Sequence, residues 1–164
     1  MKKIFLIILT FYFFAPSIIN AASSDEDNIV ENFMIQNPET EEGMRYFKLK
    51  EYNKALDFFI NKAEEGNMNA AVNAGIIYEH IKKKDLLALK YYKMAAEKGN
   101  IIGEYNYGVI LYILDDKIKS YKWLLCAAEH KYPLAVVSVQ HMKEDKLVSD
   151  DEIKKAKILS KNCM

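Results

Sequence analysis

The chain has 164 residues, 51% of them hydrophobic, which is enough for one domain with a buried core. Its 23 basic and 23 acidic residues cancel, which excludes the strong basic field of a nucleic-acid binder. Six Gly and three Pro are too few for a low-complexity chain.

The N-terminus carries Met1-Lys2-Lys3 and then an apolar run from Ile4 to Ala15 broken only by Thr10. Pro16 and Ser17 follow, then Ile19-Asn20-Ala21-Ala22. A charged start, a short apolar centre and small residues at a cut are the pattern of a secretory signal. A membrane anchor is the alternative, but a span needs about 20 apolar residues. Cleavage after Ala21 is expected, so residues 1–21 form the signal and the product is periplasmic or secreted. No membrane span is expected after that cut.

Residues 22–37 are expected to form an acidic, flexible leader with one helical turn around Ile29 to Ile35. Residues 38–162 hold a repeat. Ala55, Ala63, Gly66 and Gly75 return as Ala88, Ala96, Gly99 and Gly108, each 33 positions on. A third copy is shifted by 32, with Ala-Ala-Glu at 95–97 recurring at 127–129. Such a period means stacked helix–turn–helix units.

Each unit reads as helix A followed by helix B. The expected pairs are 38–50 with 53–64, 68–83 with 85–97, 101–114 with 116–130, and 133–144 with 150–161. Gly66 and Gly99 suit left-handed caps after a helix. Asn37-Pro38 resembles a cap followed by a first-turn proline. Asp85 and Asp115 or Asp116 suit the starts of B helices. Ser149-Asp150-Asp151-Glu152 is a capping box. The fold class is therefore all-α, a right-handed superhelix (solenoid) of about four stacked antiparallel helix pairs.

Ala88-Leu89-Lys90-Tyr91-Tyr92, Ala95-Ala96-Glu97-Lys98-Gly99-Asn100 and Tyr105-Asn106-Tyr107-Gly108-Val109 together resemble the signature of the Sel-one-like repeat family, a subclass of tetratricopeptide-type repeats. The resemblance covers roughly residues 40–142. One departure is a contracted turn between helices A and B, at Lys82-Lys83-Lys84-Asp85 and at Leu114-Asp115-Asp116. The resemblance implies a protein-interaction scaffold, often exported in bacteria, acting as an adaptor or as a binding partner of toxins and host proteins.

No catalytic set is expected. His80, His130 and His141 have no i, i+4 partner for a helical metal pair. No Cys-x-x-Cys, P-loop or Gly-x-Ser-x-Gly motif occurs. Neither a cofactor nor a small-molecule substrate is expected. Cys126 and Cys163 would pair in an oxidising compartment. The alternative is a buried thiol at Cys126 with a loose Cys163, and the sequence leaves both open.

A helices are expected to line the concave face. Their positions fall into columns across the units: Val72, Tyr105, Val137; Asn73, Asn106, Ser138; Met44, Ile76, Val109, His141; and Glu79, Tyr112, Glu144. Tyr105, Val109 and Tyr112 lie at i, i+4, i+7, a single stripe. Exposure of that stripe is expected, because Gly103, Tyr107, Gly108 and Leu111 already make a packing stripe; the opposite reading puts the two tyrosines in the core. The expected partner-binding set is Tyr105, Val109, Tyr112, Val72, Asn73, Ile76 and Asn106, with two asparagines able to hydrogen-bond a peptide backbone. The function expected is an exported adaptor that binds a protein partner. An immunity protein neutralising a toxin, or an accessory piece of an envelope complex, is the alternative.

Overall fold

The computed structural model describes residues 26–161 and Cys163; the expected export signal lies outside them. Every regular element among the described residues is helical. They are α1 Glu26–Phe33, α2 Glu41–Lys48, α3 Tyr52–Glu64, α4 Met68–Ile76, α5 Asp85–Ala96, α6 Ile101–Ile113, α7 Lys117–Glu129, α8 Pro133–Glu144 and α9 Asp150–Ser160. α4 runs on into a π-helical turn, Ile77–Ile81, closed by Lys82 N–H donating to the Ile77 carbonyl at 2.9 Å.

Consecutive helices from α2 to α8 pack on one another. α9 departs from that order. It packs chiefly on α7 rather than pairing with α8, so the fourth expected pair is not an ordinary hairpin. Val148, Ile153 and Ala156 bring α9 and the loop before it into one cluster with Tyr121, Leu124 and Ala127.

The helix starts explain the repeat. Asn67 and Asn100, both N-caps, accept from Ala70 N–H and Gly103 N–H at 2.9 Å. Asp116 caps α7, accepting from Lys119 N–H at 3.2 Å. Ser149 and Glu152 form the expected capping box. Two expected starts differ. Asn37-Pro38 lies in a turn instead, where Thr40 N–H donates to Asn37 Oδ1, and α2 begins at Glu41. Asp85 is the first residue of α5, after an N-cap at Lys84.

The stops use a left-handed residue. Gly66 and Gly99 take positive φ, as expected. Lys50, Lys83, Asp115, Lys131 and Lys146 do the same with side chains, at φ between 52° and 65°. A left-handed residue other than glycine costs about 1 kcal/mol. Lys131 stands where the two earlier repeats have glycine, and Lys131→Gly is expected to stabilise by roughly 0.5 kcal/mol after the added freedom of the unfolded chain is deducted. A urea melt reads this directly; a loss of stability would overturn it.

Glycines inside helices mark close approach. A Cβ at Gly103 would lie 2.5 Å from Ala95 Cβ and 3.0 Å from the backbone of α5. Backbone cannot move aside as a side chain can. Gly103→Ala is expected to cost about 2 kcal/mol through overpacking, read as a lower unfolding midpoint at unchanged m-value.

Candidate interaction site

Residues 26–37 are not a flexible leader in the structure. α1 buries Val30, and the residue just past its end, Met34, is buried too; both join the core cluster of the first two repeats. Lys48 and Lys50 hold Glu31 and Asp27 at 3.2 and 2.9 Å. The chain beyond α1 then crosses α4 and its π turn. Phe33 stacks on His80, with ring centroids 6.3 Å apart. The Asn73 carboxamide grips Ile35 twice: Oδ1 accepts from Ile35 N–H at 2.7 Å, and Nδ2 donates to the Ile35 carbonyl at 2.9 Å. The same carbonyl accepts from Thr40 Oγ1 at 2.9 Å. Asn67 Nδ2 donates to Glu39 Oε2 at 2.6 Å. So residues 33, 35 and 39 meet residues 80, 73 and 67, and the segment runs antiparallel to α4.

This placement corrects part of the expected site. Val72, Asn73, Ile76 and Tyr105 are buried, while Asn106, Val109 and Tyr112 are half-buried. Asn73 does bond a peptide backbone, but it is the chain's own. Tyr105 is covered from α8, its ring set 5.2 Å from that of Tyr132. Burial drives its hydroxyl up to about 12. Val72 and Tyr105 therefore belong to seams between successive units. Val137, the next member of the column, is 48% exposed. Tyr105 and Val109 join one packed cluster with Tyr112 at its edge, so the i, i+4, i+7 stripe is mostly seam rather than surface.

Replacing Asn73 by Ala strips both bonds from Ile35. The carbonyl keeps Thr40 Oγ1, but the N–H finds a new partner only if the segment lifts. Asn73→Ala is expected to cost about 2 kcal/mol and to speed amide exchange over residues 30–37 far more than elsewhere. Equal protection in the variant would refute the clamp.

The α6 stripe through Asn106 is half-buried and opens only at its C-terminal end. Asn106 sits six positions after its capping asparagine, Asn100, as Asn73 does after Asn67. The two carboxamides therefore leave equivalent helices in the same direction. Asn106 makes no side-chain hydrogen bond within the chain among the described residues. Ile102, Asn106, Val109 and Ile113 share its stripe, at i, i+4, i+7 and i+11. Ile113 is 49% exposed.

One charged group is misplaced for a repeat core. Glu104, in α6, is 1% exposed, and its Oε2 has no hydrogen-bond partner within the chain. Burial pushes its carboxyl up to about 7, against the pull of His130 and Lys122. Its counterpart one repeat earlier is Ala71, and that mismatch was readable in the sequence.

Cys126 and Cys163 form a disulfide with Cα atoms 5.5 Å apart. Among the described residues no group of three His, Cys, Asp or Glu is placed to hold a metal, and no helix is long and apolar enough to cross a membrane.

No family model matches the chain. Part of it is similar to a plant protein. F-box protein At1g70590 of Arabidopsis thaliana is 36% identical over 81 residues, 48% of this chain. The aligned stretch is 23% of that protein's length. No solved structure matches.

Proposed function

We propose that the chain is an exported Sel-one-like repeat protein, a right-handed superhelix of stacked helix pairs whose A-helix face binds a protein partner. The carrying observation is the pair of equivalent asparagines. Asn73 holds a polypeptide segment, and Asn106 presents the same group, half-buried, at the equivalent position of α6. The 33-residue period, the matched caps Asn67 and Asn100, and neighbour-on-neighbour packing support stacked units. The disulfide supports an oxidising compartment such as the periplasm or the outside of the cell. The functional reading assigns binding and positioning to the chain, with no chemical step.

Within this class a toxin-neutralising immunity role is favoured over a general adaptor by the disulfide, which ties α9 to α7 and makes the C-terminal units rigid. The test places a photo-crosslinking side chain at Ile113, and in a control at exposed Lys93 on α5, in the living cell. One discrete adduct from Ile113 and none from Lys93 is expected. Adducts from Lys93 alone would move the binding face to the B helices and overturn the assignment. An Ile113 adduct that forms only when another strain is present would mark the immunity role.

A further inference from the structure

α8 is uncovered where the earlier A helices are covered. With the shift of the last copy allowed for, Val136, Val137 and Gln140 are the counterparts of Glu104, Tyr105 and Gly108, and before them of Ala71, Val72 and Gly75. All of those earlier residues are buried, and all three on α8 are exposed. The covers can be named. Helix B of the same unit closes over each glycine: a Cβ at Gly75 would meet the Tyr92 ring on α5, and one at Gly108 would meet Leu124 on α7. α8 lacks this cover because α9 lies on α7 instead. Tyr132 covers Tyr105, and nothing among the described residues does the same for Val137. The exposed side of α8 is a stripe of Pro133, Val137, Gln140 and Glu144, at i, i+4, i+7 and i+11, turned away from buried Ala135 and Met142. Leu134 and Val136 flank it, both exposed. From Tyr132 to Met142 the chain carries no Asp, Glu, Lys or Arg. α4 and α6, the other charge-poor A helices, expose no residue before Ile113.

We infer that α8 is the contact surface between two copies of this chain, packed antiparallel about a two-fold axis near Ser138 and Val139. The lack of charge selects this occupant. A two-fold interface sets residues near the axis against their own copies, so a charged face repels itself and an uncharged apolar face does not. An acidic or basic partner finds nothing at the centre of this face to pair with. Glu144 is the one charged residue of the stripe, and it fixes the direction. Antiparallel packing places Glu144 beside the N-terminal end of the other copy's α8, where Lys131 and the helix dipole attract a carboxylate. Parallel packing would set it against its own twin. Both groups are free to meet. Glu144 is held within the chain by the Gln140 carboxamide, at 2.8 Å, and Lys131 makes no ion pair among the described residues. The N-terminus of α8 also has no side-chain cap of its own. One helix from each copy makes a small interface, so the association is weak, with a dissociation constant on the order of 100 µM. Self-association through α8 does not involve Ile113, so it goes beyond the proposed partner binding and does not rest on it.

Sedimentation equilibrium of the oxidised protein as exported is the measurement, run from about 10 µM to about 1 mM to bracket that constant. The average mass is expected to climb from that of the monomer toward twice that value. Val137→Asp puts a carboxylate at the centre of the stripe, on an exposed position, and is expected to stay monomeric throughout with an unchanged urea midpoint. Ile158→Asp, on the exposed face of α9, is expected to dimerise as the natural protein does. Lys131→Glu and Glu144→Lys each set like charges against one another across the axis, and each alone is expected to weaken the dimer about tenfold. Mixed in equal amounts, these two variants recreate both opposite pairs and should associate as tightly as the natural protein. A role of either side chain within one chain would not be restored by mixing. A natural protein that remains monomeric at the top of the range would overturn the inference. So would a dimer that Val137→Asp leaves intact, or one that Ile158→Asp abolishes. Failure of the mixture to recover would overturn the antiparallel arrangement.

Discussion

Reduction of the Cys126–Cys163 disulfide is expected to cost about 4 kcal/mol of stability. The bridge spans a sequence separation of 37 residues, and closing a loop of that length removes about 4 kcal/mol of conformational freedom from the unfolded chain. The native state has further reason to depend on it. α9 packs chiefly on α7 and little on α8, so one helix face holds the end of the chain beside the bridge. Its outer face is exposed at Ile158 and Leu159. Without the bridge, Ile153, Ala156 and Ser160 anchor it, with Val148 in the loop before it. Cys163→Ser is the cleaner substitution, because Cys126 is fully buried and its replacement by a hydroxyl would add a desolvation cost. Urea melts of the oxidised protein, of the protein in dithiothreitol and of Cys163→Ser are the measurement. The two bridge-free forms should agree and lose amide protection in α9 first. A loss under about 1 kcal/mol would show that the bridge constrains an end already fixed by packing.

Glu104 sets the second large effect, and its sign follows from its raised carboxyl. The group titrates near 4.5 in the unfolded chain and at about 7 in the fold. The folded state therefore holds the proton more tightly. The stability this gives is fully present below pH 4.5 and is lost as pH rises from there through 7. The shift corresponds to roughly 3 kcal/mol between pH 4 and pH 8, reduced by whatever relaxation lets water reach Oε2. Glu104→Gln keeps the shape and removes the charge. Its stability should be nearly flat across that window where the natural protein's falls, leaving the variant the more stable of the two above pH 7. Matching slopes for the two proteins would assign the pH dependence elsewhere. His130 and Lys122 pull the Glu104 carboxyl down against its burial, so Lys122→Met should steepen the fall.

The elements were legible because a repeat states its pattern more than once. Gly66 and Gly99 announced their left-handed caps, and Ser149 with Glu152 announced the last helix. The lysines at 50, 83, 131 and 146 were invisible as caps, since nothing in a lysine favours positive φ. The candidate site was half legible. Asn73 and Asn106 stood out as backbone-binding groups, and one of them does bind backbone. What hid the rest was distance along the chain. The cover over Tyr105 comes from Tyr132, and the occupant of Asn73 comes from Ile35, 38 residues earlier. A helical stripe shows which residues share a side, while only the tertiary neighbour decides whether that side is wet. The ring of Tyr105 stood in the expected binding set and is buried, while the isoleucine at 113, which the sequence did not single out, is exposed.

The docked N-terminal segment also imposes an order of events. Helices α2 to α8 are held by contacts between chain neighbours, which form quickly because little loop entropy is spent. Ile35 must instead wait for Asn73. As the polypeptide emerges from its N-terminus, some forty further residues have to appear before Phe33, Ile35 and Glu39 find their places. Until then residues 33–39 lack their partners on α4, while Asp27 and Glu31 can already meet Lys50 and Lys48. Closure of that strap is thus a late step, and it reports that the second repeat has already formed.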